Sequence, residues 1–205
     1  MVIQNQFLDC SSCVGEAIDN FFEEILKKND IIGRFLSIKQ TSRPIGFEGE
    51  LRYSDDAVNE LRLYNIPIAI GFIRRNSYNS TVLTCFDIPR MIKLAENMLK
   101  SGQKSVSPNN LSLQEAEKQI SEYFNTILKG NSIKREDMVV EEVKRPIGVF
   151  FSSHAEYSED YLYELLVYGV PIAVGFIWKI SGEKRIVSTT FIPQGYKLSK
   201  LKVFL

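Results

Sequence analysis

The sequence predicts an α+β (mixed α/β) chain, built as a tandem duplication of an α-β-β-α-β-β unit of about 100 residues, long enough to bury a core. Three observations carry this expectation. Arg43-Pro44-Ile45-Gly46 returns as Arg145-Pro146-Ile147-Gly148. Pro67-Ile68-Ala69-Ile70-Gly71-Phe72-Ile73 returns as Pro171-Ile172-Ala173-Val174-Gly175-Phe176-Ile177. Ahead of each pair runs an apolar stripe at helical spacing: Ile18, Phe21, Phe22, Ile25 and Leu26, then Ile120, Tyr123, Phe124, Ile127 and Leu128. Tyr53-Ser54 and Asp56 match Tyr157-Ser158 and Asp160, and Ile88-Pro89 matches Ile192-Pro193, in the same order along the chain. Recurrence that keeps its order over such a length reads as two copies of one unit. The copies are expected at residues 1–100 and 115–205, joined by the polar linker 101–114, either as separate units or packed as one pseudo-two-fold domain.

The elements follow in chain order. Apolar residues at i, i+3, i+4, i+7 and i+8 lay one stripe along a helix, so each copy opens with an amphipathic helix. Ser112 and Glu115 form a capping box at the start of the second of these. Residues 34–41 and 138–144 are β-rich, and residues 44–52 and 146–155 form the next strands, with Pro44 and Pro146 at strand starts, where a missing N–H is tolerated. A second helix is expected to start at Ser54 or Ser158, each followed by acids that suit a helix N-terminus. It is expected to stop at Asn65 or Gly169, residues that accept the left-handed conformation after a helix. Residues 67–73 and 171–177 are apolar on both faces, as in buried central strands. Hairpins near Asn76–Ser80 and Ser181-Gly182 lead to the strands 81–86 and 185–191. A third helix follows in the first copy over Met91–Leu99, and the second copy ends in a short basic tail with Lys197, Lys200 and Lys202.

Composition bounds the function. Of 205 residues, 25 are Lys or Arg and 25 are Asp or Glu, so the formal net charge is zero. A neutral chain has no global field to hold a phosphate backbone, which argues against strong direct nucleic-acid binding. No run approaches the roughly 18 apolar residues of a membrane helix. Residues 1–6 lack the basic-then-apolar order of a secretory signal. The three cysteines do not make a disulfide framework. A cytoplasmic protein is expected. Abundant Ile with scarce Ala, Gln and His suits an AT-rich genome, such as that of a thermophile.

Positions kept in both halves are the first candidates for a site. Gly46, Gly148, Gly71 and Gly175 mark bulges or close backbone approach. Arg43 and Arg145 precede prolines and are therefore extended. As structural residues they pair with an acid across the sheet; as functional residues they join an interaction surface that takes a phosphate or carboxylate. Arg74-Arg75 and Trp178-Lys179 are equivalent pairs leaving the buried strands, placed to touch a protein or a nucleic acid. Zinc would need two ligands beyond Cys10 and Cys13, and only Cys85 and His154 remain, so no metal is expected. No cofactor motif is present either. A magnesium nuclease would need an acidic set on adjacent strands, and Glu48, Glu50 and Arg52 are its nearest match. The element order around Gly169-Val170-Pro171 is similar to archaeal Holliday-junction resolvase folds, but the second copy lacks those acids.

Two resemblances name a class. Cys10-Ser11-Ser12-Cys13 at the start of a helix, with Ile66-Pro67 before a buried strand, resembles the thioredoxin-fold oxidoreductases. That likeness implies thiol–disulfide exchange at Cys10 and Cys13, where a helix N-terminus lowers a thiol pKa. The doubled Arg-Pro-Ile-Gly and Pro-Ile-Ala-x-Gly-Phe-Ile segments, the size and the Ile-rich composition resemble the accessory seventh subunit of type III-B (Cmr) CRISPR effector complexes of thermoacidophilic archaea. This second resemblance implies a non-catalytic interaction protein, working in antiviral defence as a subunit of an RNA-guided ribonucleoprotein, with other protein subunits as partners. A homodimer is also expected, because closed two-fold assembly is the commonest use of such surfaces.

Overall fold

The computed structural model describes residues 3–8, 11–31, 37–47, 53–64, 66–75, 81–101, 111–136, 138–150, 155–181 and 184–202. The elements run β1 (Ile3–Leu8), α1 (Ser11–Lys28), β2 (Ile38–Gly46), β3 (Tyr53–Leu63), β4 (Ile66–Arg75), β5 (Thr81–Asp87), α2 (Pro89–Ser101), α3 (Leu113–Gly130), β6 (Val140–Phe150), β7 (Ala155–Val167), β8 (Val170–Ser181), β9 (Lys184–Phe191) and α4 (Pro193–Lys202). They fall into two compact units: Met1–Ile45 with Tyr53–Val106, and Gly46–Arg52 with Ser107–Leu205.

The expected tandem α-β-β-α-β-β unit is not what the chain forms. The second helix of each half is absent, and in its place stand the long strands β3 and β7. The first unit therefore reads β-α-β-β-β-β-α, with strand order β1-β5-β4-β3-β2. The second reads α-β-β-β-β-α, with strand order β6-β7-β8-β9. Sequence neighbours β3–β4, β4–β5, β6–β7, β7–β8 and β8–β9 pair antiparallel. The basic tail is also corrected: residues 193–202 form the helix α4.

The misread helices have a local cause. Ser54 and Ser158 look like helix caps, but each stitches its own strand to the preceding one. Ser54 Oγ donates to the Ile45 carbonyl at 2.7 Å and accepts from the Asp56 amide at 3.2 Å. Ser158 Oγ donates to the Ile147 carbonyl at 2.6 Å and accepts from the Asp160 amide at 3.1 Å. The acids that suit a helix dipole instead accept backbone amides of the following strand: Arg75 N–H to Asp56 Oδ1 at 2.8 Å, and Lys179 N–H to Asp160 Oδ1 at 2.6 Å. Tertiary pairing of this kind overrides weak helix propensity. Gly169 does take the left-handed conformation, but as the second residue of a turn. Tyr168 (φ 51°) and Gly169 (φ 72°) join β7 to β8, and two consecutive positive φ values define the tight hairpin turn whose twist suits antiparallel strands. Tyr64 has φ 50° at the matching place between β3 and β4. Asn65, the hairpin at Asn76–Ser80, Gly182 and most of the 101–114 linker lie outside the described residues.

Each unit buries its helices against its sheet. On α1, Val14, Ile18, Phe21, Phe22 and Ile25 are buried, and α2 adds Met91, Ile92 and Ala95. On α3, Ala116, Ile120, Phe124 and Leu128 form a core with Leu165, Val167, Ala173 and Ile177. The capping box at Ser112 and Glu115 is formed. It supplies acceptors for helix amides that would otherwise lack them. In β4 every residue from Ile66 to Phe72 is buried, which explains its unbroken apolar run. Gly71 and Gly175 are close approaches: a Cβ there would come within 3.0 Å of Ile18 and 2.9 Å of Ile120.

Gly195 is tighter still, because a Cβ on this α4 residue would lie 1.9 Å from the Pro171 carbonyl oxygen. Backbone cannot yield as a side-chain tip can. Gly195→Ala is therefore expected to lower stability by about 1–3 kcal/mol in guanidinium unfolding, the usual cost of overpacking. Gly15 lies inside α1 with nothing within 4 Å of its added Cβ, and Gly15→Ala is expected to gain about 1 kcal/mol from helix propensity. Equal effects at the two positions would contradict the close packing of α4 on β8.

Candidate functional site

Each sheet buries one arginine–glutamate pair. Arg43 on β2 and Arg145 on β6 are each 6% exposed, and each faces a buried glutamate. In the first unit Glu60 on β3 is fully buried. It meets Arg43 Nη1 at 3.4 Å, Arg62 Nε at 2.7 Å and the Thr41 hydroxyl at 3.3 Å. In the second, Glu164 on β7 accepts from Arg145 Nη1 at 3.2 Å. Arg145 Nε donates to the Gly46 carbonyl at 3.1 Å, and its guanidinium lies 5.5 Å from the Phe47 ring centroid. A charge held this far from water is tolerable only when paired and hydrogen-bonded. These contacts supply that pairing, as the structural role of the two arginines requires.

A second cluster pins α3 to its sheet. Glu117 accepts from Lys144 Nζ at 2.8 Å and from the Tyr163 hydroxyl at 2.6 Å. The Lys144 ammonium sits 4.4 Å from the Tyr161 ring centroid, within cation–π range. Partial burial pushes the Glu117 carboxyl up, but the hydrogen bonds from Lys144 and Tyr163 and the Lys144 charge outweigh it and hold it below its ordinary value. A third group joins β7 to β8 and, beyond it, β9. Glu159 bonds Lys179, and also Arg185 Nη2 at 2.7 Å. These bonds, led by the one from Lys179, lower its carboxyl pKa.

The residues expected to form an interaction surface do not share one exposure. Arg43 and Arg145 are buried in their ion pairs. Trp178 is 2% exposed and stacks on Phe176, with ring centroids 5.2 Å apart and planes 10° from parallel. None of these three is open to a partner: each arginine is enclosed with its glutamate, and Trp178 lies in β8, both faces of which are buried over Ile172–Trp178. Lys179 is half-buried and paired with Glu159. Arg74 is half-buried and Arg75 exposed at the end of β4. Cys13 is exposed in the first turn of α1 and is disulfide-bonded. Cys10 lies outside the described residues, as do His154 and the acidic set Glu48, Glu50 and Arg52. Cys85 on β5 is free and buried, and burial pushes its thiol up to about 12. Among the described residues, no three His, Cys, Asp or Glu side chains stand together as a metal would need. Among the same residues, no helix is long and apolar enough to cross a membrane.

Sequence reasoning missed the acids that matter most, Glu60 and Glu164. The signal was present, since Glu-Leu recurs at the same distance after Ser54-Asp55-Asp56 and Ser158-Glu159-Asp160. Both glutamates fall within the spans expected to be second helices. No family model matches the chain, and neither a curated protein nor a solved structure is found to be similar to it.

Four outcomes follow from this geometry. Glu164→Ala leaves Arg145 buried without its carboxylate, and denaturant unfolding should show a loss of about 3–5 kcal/mol. Glu23→Ala, which removes an exposed i,i+4 pair with Lys27, should change stability by less than about 1 kcal/mol. For Glu117, a folded pKa below the unfolded one means its contribution is present above the unfolded pKa, about 4.3. It is lost as pH falls through the folded value. Acid titration of unfolding should therefore show Glu117→Gln losing its deficit against the parent as pH drops below about 4. Finally, the Cys85 thiol should resist alkylation at pH 8 in the native protein and react after denaturation. Rapid native labelling of Cys85 would contradict its burial.

Proposed function

We propose that this chain is a non-catalytic interaction protein that serves as a subunit of a larger assembly. The observation that carries the reading is the commitment of six buried ionisable residues among those described. Glu60, Glu164, Arg43 and Arg145 are consumed by ion pairs within the sheets, and Asp56 and Asp160 by backbone amides. A general acid, base or anion-binding arginine must be open to a substrate, and these groups are closed by their own partners. The resemblance to the accessory subunit of Cmr-type CRISPR complexes supplies the proposed assembly, an RNA-guided ribonucleoprotein in the cytoplasm of a thermophilic archaeon. In this reading the chain forms a homodimer, docks on protein subunits, and meets RNA only indirectly.

A second reading, thiol–disulfide exchange, has one observation behind it: Cys13 is exposed and disulfide-bonded at the start of α1. Against it stands the place of β1, which pairs antiparallel with β5 and ends the strand order of its unit. The strand leading into a thioredoxin-type motif is instead a central one.

The test is affinity capture of the tagged full chain from its native cells. Protein subunits should co-purify with it and stay bound after ribonuclease treatment. Light scattering of the purified chain at micromolar concentration should give the dimer mass. Tight, salt-sensitive RNA binding by the isolated protein would overturn the indirect role, with Arg74, Arg75 and Lys179 the first residues to replace. Cysteine-dependent reduction of insulin disulfides would favour the redox reading, and the Cys10→Ser/Cys13→Ser double variant should otherwise assemble like the parent.

A further inference from the structure

We draw no further inference here: the strongest candidate, the outer edge of β9 in the second unit, is bridged at Arg185 by Leu111, and nothing in the structure shows what covers the rest of that edge.

Discussion

A buried arginine facing a buried glutamate is the constraint on which each sheet turns. Arg43 with Glu60, and Arg145 with Glu164, put full charges among residues such as Ile45, Ile70, Ile147 and Val174 that are themselves fully buried. Desolvating two ions costs several kcal/mol each, and their attraction offsets this only when geometry and extra hydrogen bonds cooperate. The chain meets that condition by register. Arg145 stands opposite Leu162 across β6 and β7, so its guanidinium reaches Glu164 two residues along the same strand. A slip by one residue would turn the glutamate to the other face. The pairs therefore add to register specification as well as to stability, and they explain why the doubled Arg-Pro-Ile-Gly segment sits where it does.

The serine and aspartate ahead of each glutamate belong to the same system. Ser158 holds the Ile147 carbonyl just where the β6–β7 register shifts, between Ile147 and Gly148. Asp160 then takes the Lys179 amide of β8. Ser54 and Asp56 make the equivalent bonds in the first unit. Polar residues that look like surface features in the sequence are thus internal joints. The helices are simpler. They lay apolar stripes on one face of each sheet, and Gly71 and Gly175 give Ile18 and Ile120 room to approach.

Much of this was legible in the residues, and the largest failure, the second helix expected in each half, has a single origin. The stripes at Ile18–Ile25 and Ile120–Leu128, the capping box at Ser112, the buried runs after Pro67 and Pro171 and the helix after Pro89 all follow from local pattern. β3 and β7 did not, because Ser-x-Asp followed by a Glu-Leu pair satisfies helix rules locally, while the real partners of these residues lie on other strands. Gly169 added to the error, since the left-handed conformation serves helix ends and hairpin turns alike. The site suffered in turn. With Glu60 and Glu164 assigned to a helix, Arg43 and Arg145 had no visible acid, and they were grouped with a surface they do not reach. Trp178 was read as a strand end, although its strand stays buried through that residue.

The central claim is that these charged pairs are satisfied by each other inside the sheet and serve no ligand. It is tested most directly by replacing one pair with apolar residues of similar volume, Arg145→Met together with Glu164→Leu, and measuring both unfolding and the set of proteins captured by the full chain. Removing both charges together avoids leaving either one stranded in the interior. The account predicts a cooperatively folded protein, within about 2 kcal/mol of the parent, that captures the same partners. A variant that folds and unfolds like the parent but captures none of them would contradict it.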